Sequence, residues 1–261
     1  MVIPMTSWTP FPYNNAPCQY TAASLKEKWP RLHAGDAEPW PADAAVVQAW
    51  CPYHAGEFQA AFEAGLAAGP AGICVANKAQ ALYANYLERT EKAKLEMFLA
   101  VAERAESHQA AEPAHPNAYY WQAYALGRYG QGISIAKALA QGLGSQVKNA
   151  LETTIALAPL HADAHIALGT LHAEVIARVG KLLGRTQGAD CATGLHMFEQ
   201  ALTLNPGSAI AMIERANGLV MLEGDKRMQQ AEALYADAAA CAPLDAAECL
   251  EVEMARAELA Q

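Results

Sequence analysis

Apolar residues spaced three and four positions apart recur from Asp43 to the end of the chain, and proline and glycine interrupt them at intervals. This spacing puts the apolar side chains on one face of a helix and predicts about eleven amphipathic helices. Residues 1–41 are different, since Pro, Trp and Tyr dominate there and only TAASLKEKW predicts a helix, with Thr21 or Ser24 as its N-cap. We expect this first segment to wrap over the helices that follow it.

The helical pattern repeats in the second half of the chain. Three amphipathic segments end in Ala or Asn followed by proline, at Pro159, Pro206 and Pro243. Each of them is followed within a few residues by another amphipathic segment, so the pattern predicts successive helical hairpins joined by loops of varying length.

These hairpins resemble the tetratricopeptide repeat, a helix–turn–helix of about 34 residues. In the fourth hairpin the motif positions hold His165, Leu168, Gly169, His172, Gly194, Phe198, Ala201 and Pro206. In the fifth they hold Ala231, Tyr235, Ala238 and Pro243, and in the third Leu126, Gly127, Leu151, Thr154 and Pro159. The resemblance covers about residues 117–243, with extra residues between the half-repeats, and it implies an all-α fold, an α-α superhelix.

Two of the predicted first helices run past the point where a standard repeat turns. They are LGRYGQGISIAKALAQGLG in the third hairpin and LGTLHAEVIARVGKLLGR in the fourth. Long first helices, together with the LGR at Leu126 to Arg128, are similar to two branches of the repeat family. These branches are the helical component associated with bacterial TRAP transporters and the regulators of microtubule dynamics. No activity is carried over from this resemblance.

The same pattern divides the chain into a Pro/Trp-rich segment, residues 1–41, and a helical repeat domain, residues 42–261. The repeat domain has five hairpins and a C-terminal capping helix, predicted over 42–69, 72–107, 117–159, 161–206, 208–243 and 245–260. Neighbouring helices in such a stack lie about 8–10 Å apart, which requires small side chains where they cross. We expect Gly127, Gly169, Ala201, Ala231 and Ala238 at these crossings.

The first helices of such a stack line its concave face, where superhelices of this kind bind peptides or helices. The repeat geometry predicts that this face includes Trp121, Tyr124, Arg128, Asp163, Ile166, Thr170, Ile210, Ile213 and Asn217. An equally good interpretation puts Trp121 and Tyr124 in the core beneath the second hairpin. Chaperone cofactors of the family clamp a carboxylate with Lys, Asn and Arg side chains on three successive first helices. Only Arg128 stands at such a position here, and Glu214 would repel a carboxylate, which argues against that subtype.

Composition and charge narrow the possible functions. By count, 59 of the 261 residues are alanine and only 19 are valine or isoleucine, which favours helices over strands. The net charge of −9 has the wrong sign for nucleic-acid binding. The sequence has no apolar run of the length that spans a bilayer and no secretory signal, and its six scattered cysteines form no CxxC pair. We therefore expect buried thiols in a cytoplasmic protein that does not insert into membranes.

The chain offers little catalytic or metal chemistry. It contains no complete phosphate loop, nucleophile elbow or HExxH motif. His161, His165 and His172 are the candidates for binding zinc or nickel, but two of them coincide with aromatic packing positions of the repeat. We therefore expect no enzyme activity, no metal and no cofactor.

Three hypotheses for the function follow. The favoured one is a protein–protein interaction scaffold that binds a peptide or partner protein on the concave face. The alternative is a small-molecule binder, in which the long first helices and the N-terminal segment enclose an apolar pocket near Trp121, Tyr124 and Ile166. The third is a metal protein that uses the histidine cluster.

Overall fold

The computed structural model describes residues 7–260, and 77% of the structure is helical. The helices of the first half are α1 (Ala22–Leu32), α2 (Ala44–His54), α3 (Phe58–Ala67), α4 (Ile73–Tyr86), α5 (Glu91–Ala111) and α6 (Pro116–Gln131). Those of the second half are α7 (Ile135–Ala140), α8 (Leu143–Leu157), α9 (Ala162–Thr186), α10 (Cys191–Leu204), α11 (Ala209–Glu223), α12 (Met228–Ala240) and α13 (Ala246–Leu259). No strand occurs within residues 7–260. We expect the N-terminal segment to wrap over the helices, and for residues 1–6 this expectation falls outside the described residues.

Polar side chains at the helix starts explain where several helices begin. Thr21 and Ser24 form a reciprocal capping box at the start of α1, so both candidate caps take part. The Asp43, Asp190 and Asp245 carboxylates each accept a hydrogen bond from a backbone N–H in the first turn of the helix that follows. These bonds satisfy N–H groups that have no partner within the helix, which sets the helix boundary.

The helices pack as hairpins in chain order. The pairs are α2 with α3, α4 with α5, α6 with α8, α9 with α10 and α11 with α12, and α13 packs on α12. The first helices of successive hairpins also touch, since α4 contacts α6, α6 contacts α9 and α9 contacts α11. This arrangement confirms the all-α superhelix of about five hairpins with a final capping helix.

The third hairpin is less regular than the sequence predicts. Its first helix ends at Gln131 and is followed by the separate short helix α7, whose start is capped by the Ser134 hydroxyl. Gly142, at φ +64°, then turns the chain into α8. The prediction of one long first helix is therefore wrong here. The corresponding helix α9 does span 25 residues, although Gly180, at φ +81°, interrupts its helical geometry.

Glycines allow the close approach of α9 and α11 to α10. A Cβ added at Gly169 would lie 2.9 Å from the Phe198 ring, and one added at Gly218 would lie 2.3 Å from the opposite edge of that ring. The expectation for Gly169 is therefore confirmed. The expectation for Gly127 is wrong, because a Cβ there would meet nothing within 4 Å. Gly127 lies beside an open cavity instead of at a helix crossing.

The two ends of the superhelix meet. His54 Nδ1 lies 2.7 Å from a carboxylate oxygen of Asp245, and the Tyr20 hydroxyl donates a 2.7 Å hydrogen bond to the Leu244 carbonyl. Leu250 of α13 belongs to the same apolar cluster as Trp50 of α2. Residues about 200 positions apart in sequence therefore close the concave side of the stack.

The start of the described chain packs on α3 and α4. The Trp8 ring stacks on Tyr83 with centroids 4.2 Å apart and on Phe62 with centroids 5.3 Å apart. The Trp8 backbone N–H also donates a 2.8 Å hydrogen bond to Gln59.

Candidate functional site

The concave side contains a partly open cavity of about 160 Å³, called here the concave cavity. Helices α6, α9 and α11 supply one part of its wall, and α1, α4 and α13 supply another. Because the wall combines first helices with both ends of the chain, most of its residues are far apart in sequence.

Seven of the nine predicted concave residues line this cavity. They are Trp121, Tyr124, Arg128, Asp163, Ile166, Thr170 and Ile210. Trp121 is only 2% exposed, so its side chain both lines the cavity and belongs to the core. Ile213 is instead buried among Ala238, Val252 and Ala255, and Asn217 accepts a hydrogen bond from Tyr235. The packing of α12 and α13 on α11 explains why these two residues do not reach the cavity.

The wall of the cavity carries an excess of acidic groups. Its seven carboxyl residues are Asp36, Asp163, Glu174, Glu214, Asp245, Glu248 and Glu251. Its three cationic residues are Arg31, Lys78 and Arg128. Most of the acidic residues lie outside the predicted set, since they come from α13 and from helix positions that the repeat motif does not mark.

Each of the three cations is already paired. Arg31 lies 2.6 Å from Glu248, Lys78 lies 2.6 Å from Asp36, and Arg128 lies 3.2 Å from Glu214. The cation that the repeat geometry offers to a ligand carboxylate, Arg128, is therefore held by a carboxylate of the protein.

Two of the remaining carboxyl groups have no such partner. Within residues 7–260, the side chains of Asp163 and Glu251 form neither an ion pair nor a hydrogen bond. Burial raises the pKa of Asp163 to about 7, and the nearby Asp36 carboxylate adds to the shift. Burial, followed by repulsion from Asp163, also holds the pKa of Glu251 well above its usual value. These two groups would be ionised more readily beside a cation.

Aromatic rings lie beside these carboxyl groups. Tyr86, Tyr120, Trp121 and Tyr124 all line the cavity. Tyr53 also contributes to the wall, and its fully buried hydroxyl has no hydrogen-bond partner among the described residues. Carboxylates combined with the faces of aromatic rings form a suitable environment for an organic cation.

The histidines considered for metal binding serve the helix packing instead. His161 Nε2 lies 2.8 Å from the Asn117 side-chain oxygen, and its Nδ1 accepts a hydrogen bond from the Ala164 backbone. His172 accepts a hydrogen bond from the Asp190 backbone, and His165 contacts Met197 and Pro159. The structure does not join the three into one metal-binding group.

The six cysteines are all free thiols. Only Cys18 and Cys74 are buried, so the expectation of six buried thiols is wrong for the other four, which are partly exposed. Cys74 lies beside His108 and His115, a cluster that sequence spacing does not reveal because its members come from three separate parts of the helical stack.

Comparison with known proteins supports the fold. A crystal structure described as TTC0263, a thermophilic TPR protein in Thermus thermophilus, superposes with a TM-score of 0.58 at 19% sequence identity. The match covers 82% of this chain and 97% of that one. No known family model matches the sequence, and no curated protein matches it either. The structural likeness shows a tetratricopeptide-like superhelical fold.

The helices are too short or too polar to span a membrane. Among the described residues, none of them combines the length and the apolar character that crossing a bilayer requires.

Proposed function

We propose that the protein is a non-enzymatic interaction scaffold whose concave cavity receives a basic side chain of a peptide or partner protein. The observation that carries this proposal is the acidic excess of the cavity wall, where Asp163 and Glu251 form no ion pair among the described residues and share the influence of one nearby cation, Lys78, which is paired with Asp36. A lysine or arginine side chain would supply a further positive charge.

The electrostatic argument rests on the cost of burying unpaired carboxylates. A buried carboxyl group without a cation takes up a proton instead of remaining charged, which agrees with the raised pKa of Asp163. A bound ammonium or guanidinium group would stabilise the ionised form. Binding of a basic group should therefore release protons and strengthen as the pH rises through about 7.

A library of decapeptides tests the proposal. The peptides carry Lys, Arg, Ala or Glu at the central position, and their retention by the immobilised full-length chain is measured. We expect enrichment of Lys and Arg peptides, with retention that increases between about pH 6 and pH 8 and decreases with salt. The double variant D163N/E251Q should lose this enrichment.

A matched control removes the same charge from the outside of the molecule. Glu106 and Glu258 are exposed and lie outside the cavity wall, so E106Q/E258Q should retain the same peptides as the wild-type chain. Equal retention of Glu and Lys peptides by the wild-type chain would contradict the proposal. So would unchanged enrichment in the D163N/E251Q variant.

A second candidate function is the binding of a small organic cation. It is favoured by the contacts that the start of α13 makes with α1 and α2, which leave less room for a long peptide to enter the cavity. A cavity of about 150 Å³ is large enough for a molecule the size of benzene. A panel of alkylammonium and guanidinium compounds, assayed by thermal shift, tests this candidate. Stabilisation that D163N/E251Q abolishes, without any peptide retention, would favour it over peptide binding.

We also propose that the protein is located in the cytoplasm, because free, partly exposed thiols are typical of a reducing compartment. Fluorescence microscopy of a tagged chain in its native host would test it.

A further inference from the structure

A cysteine and two histidines from three different parts of the stack meet outside the concave cavity. Cys74 lies in the first turn of α4, His108 in the last turn of α5, and His115 at the N-cap of α6. None of the three lines the concave cavity. The proposed peptide-binding function therefore makes no use of them.

The three side chains have the spacing of metal ligands. The Cys74 sulfur lies 3.9 Å from Nδ1 of His108 and 3.9 Å from each ring nitrogen of His115. One potential ligand atom from each residue lies within 4.8 Å of the other two. In tetrahedral zinc sites with Zn–S near 2.3 Å and Zn–N near 2.0–2.1 Å, sulfur and nitrogen ligands are about 3.6 Å apart. To close around an ion, the sulfur–nitrogen distances would shorten by a few tenths of an ångström, and the two histidine nitrogens, now within 4.8 Å, would approach to about 3.3 Å by side-chain rotation.

A carboxylate lies behind one of the histidines. With Nδ1 of His108 directed to Cys74, its other nitrogen, Nε2, lies 3.8 Å from a Glu112 carboxylate oxygen, which is beyond hydrogen-bond distance. Carboxylates behind ligating histidines are common in metal sites, where a closer approach fixes the ring and its tautomer. The Glu38 side chain is held by a 2.6 Å hydrogen bond from the Asn117 amide, so it is not counted among the ligands. His115 is partly exposed and leaves a path for entry.

Only long contacts hold the ring nitrogens of this cluster. Within residues 7–260, the shortest polar contact of the His108 ring is 3.8 Å, and that of the His115 ring is 3.9 Å. His161, by contrast, uses both of its ring nitrogens in bonds of 3.0 Å or less. The nitrogens of His108 and His115 are therefore not committed to short hydrogen bonds and are available to an ion.

We propose that Cys74, His108 and His115 bind a zinc ion, with a water molecule in the fourth position. Cys and His are the preferred zinc ligands, and a mixed set of this kind is typical of tetrahedral sites. Binding converts the Cys74 thiol to a thiolate, so one S–H bond breaks, one Zn–S bond forms and the proton leaves to solvent. The ion would join α4 to the α5–α6 turn and stabilise the second and third hairpins against separation.

Cobalt substitution is the direct test. Untagged, chelator-treated full-length protein is titrated with Co²⁺ and then with Zn²⁺, and the ultraviolet–visible spectrum is recorded. We expect a thiolate-to-cobalt charge-transfer band and tetrahedral visible bands that saturate at one ion per chain and disappear when zinc displaces cobalt. Zinc should also raise the melting temperature, since it binds the folded chain.

Variants distinguish the metal ligands from neighbouring residues that do not bind the ion. C74S should abolish the charge-transfer band, and H115Q should weaken zinc binding at least about 100-fold, whereas E112Q should weaken it about 10-fold. The control C18S removes a buried thiol that lies outside the cluster and should leave the spectrum unchanged. Circular dichroism of each metal-free variant shows whether it folds.

Two results would overturn the proposal. One is a wild-type chain that gives no charge-transfer band. The other is a band that remains in folded C74S but disappears in C18S. Neither outcome depends on peptide binding, so the zinc site and the proposed function can fail separately.

Discussion

The Phe198 ring offers the sharpest test of how the superhelix packs. It is 1% exposed and lies between Gly169 of α9 and Gly218 of α11. A Cβ added at Gly218 would lie 2.3 Å from one edge of the ring, and one added at Gly169 would lie 2.9 Å from the other edge. The ring has no free side toward which it can move, so each helix must shift to admit a methyl group.

The expected magnitudes follow from two opposing effects. Glycine to alanine inside a helix stabilises by about 1 kcal/mol through propensity. Overpacking a filled core costs about 1–3 kcal/mol, occasionally more, and the upper part of that range applies at 2.3 Å. We therefore expect G218A to destabilise by about 1–2 kcal/mol and G169A by less, because its contact is longer. Gly127 has open space at the Cβ position, so G127A should stabilise by up to about 1 kcal/mol.

Urea unfolding followed by far-ultraviolet circular dichroism measures these differences. A double-mutant cycle with F198L adds a check, because a smaller side chain should recover part of the loss in G218A and give a coupling energy above about 0.5 kcal/mol. If G218A proves as stable as G127A, the helices do not approach each other as described. A coupling energy of zero would show that Phe198 is not the group that meets the new methyl.

Three further predictions concern the charges and the closure of the stack. Asp163 has a pKa of about 7 in the folded chain against an ordinary 3.8, so its contribution to stability should decline as the pH rises from about 4 to about 7. The charged groups around it stay in place in D163N; they are Asp36, Lys78, Glu248 and Glu251. The free energy of unfolding of D163N relative to wild type, measured with urea, should therefore increase over that pH range. Parallel pH profiles of the two proteins would refute this. D245N should destabilise by about 1.5–3 kcal/mol because it weakens the 2.7 Å hydrogen bond between the buried His54 ring and a charged carboxylate. E253Q breaks a partly exposed pair with Arg256 and should cost less than about 1 kcal/mol, so similar losses in the two variants would contradict the buried hydrogen bond. Y20F removes the hydrogen bond to the Leu244 carbonyl and should lower the free energy of unfolding by about 0.5–1.5 kcal/mol in the same assay. An unchanged free energy of unfolding would argue against this contact between the first and last helical segments.

Much of the concave face could be predicted from sequence because helix periodicity is a local property. Once the repeat phase is set at Leu168 and Gly169, the same helix must present Ile166 and Thr170 to the concave side. The phase of the repeat does not predict the surroundings of every residue in the fifth hairpin. There α13 packs against α11 and buries Ile213, and the position of a helix about 30 residues further along cannot be read from the repeat itself.

The sequence by itself determined the helical class, the repeat and the small residue at Gly169, because these depend on spacing within one or two neighbouring helices. Only the tertiary structure decided that the chain ends meet, that α13 brings Glu251 to Asp163, and that Cys74 lies beside His108 and His115. Contacts of this kind depend on the rotation between successive hairpins, which adds up along the stack. A small change at each interface moves the last helix by many ångströms, so no local pattern records where it will lie.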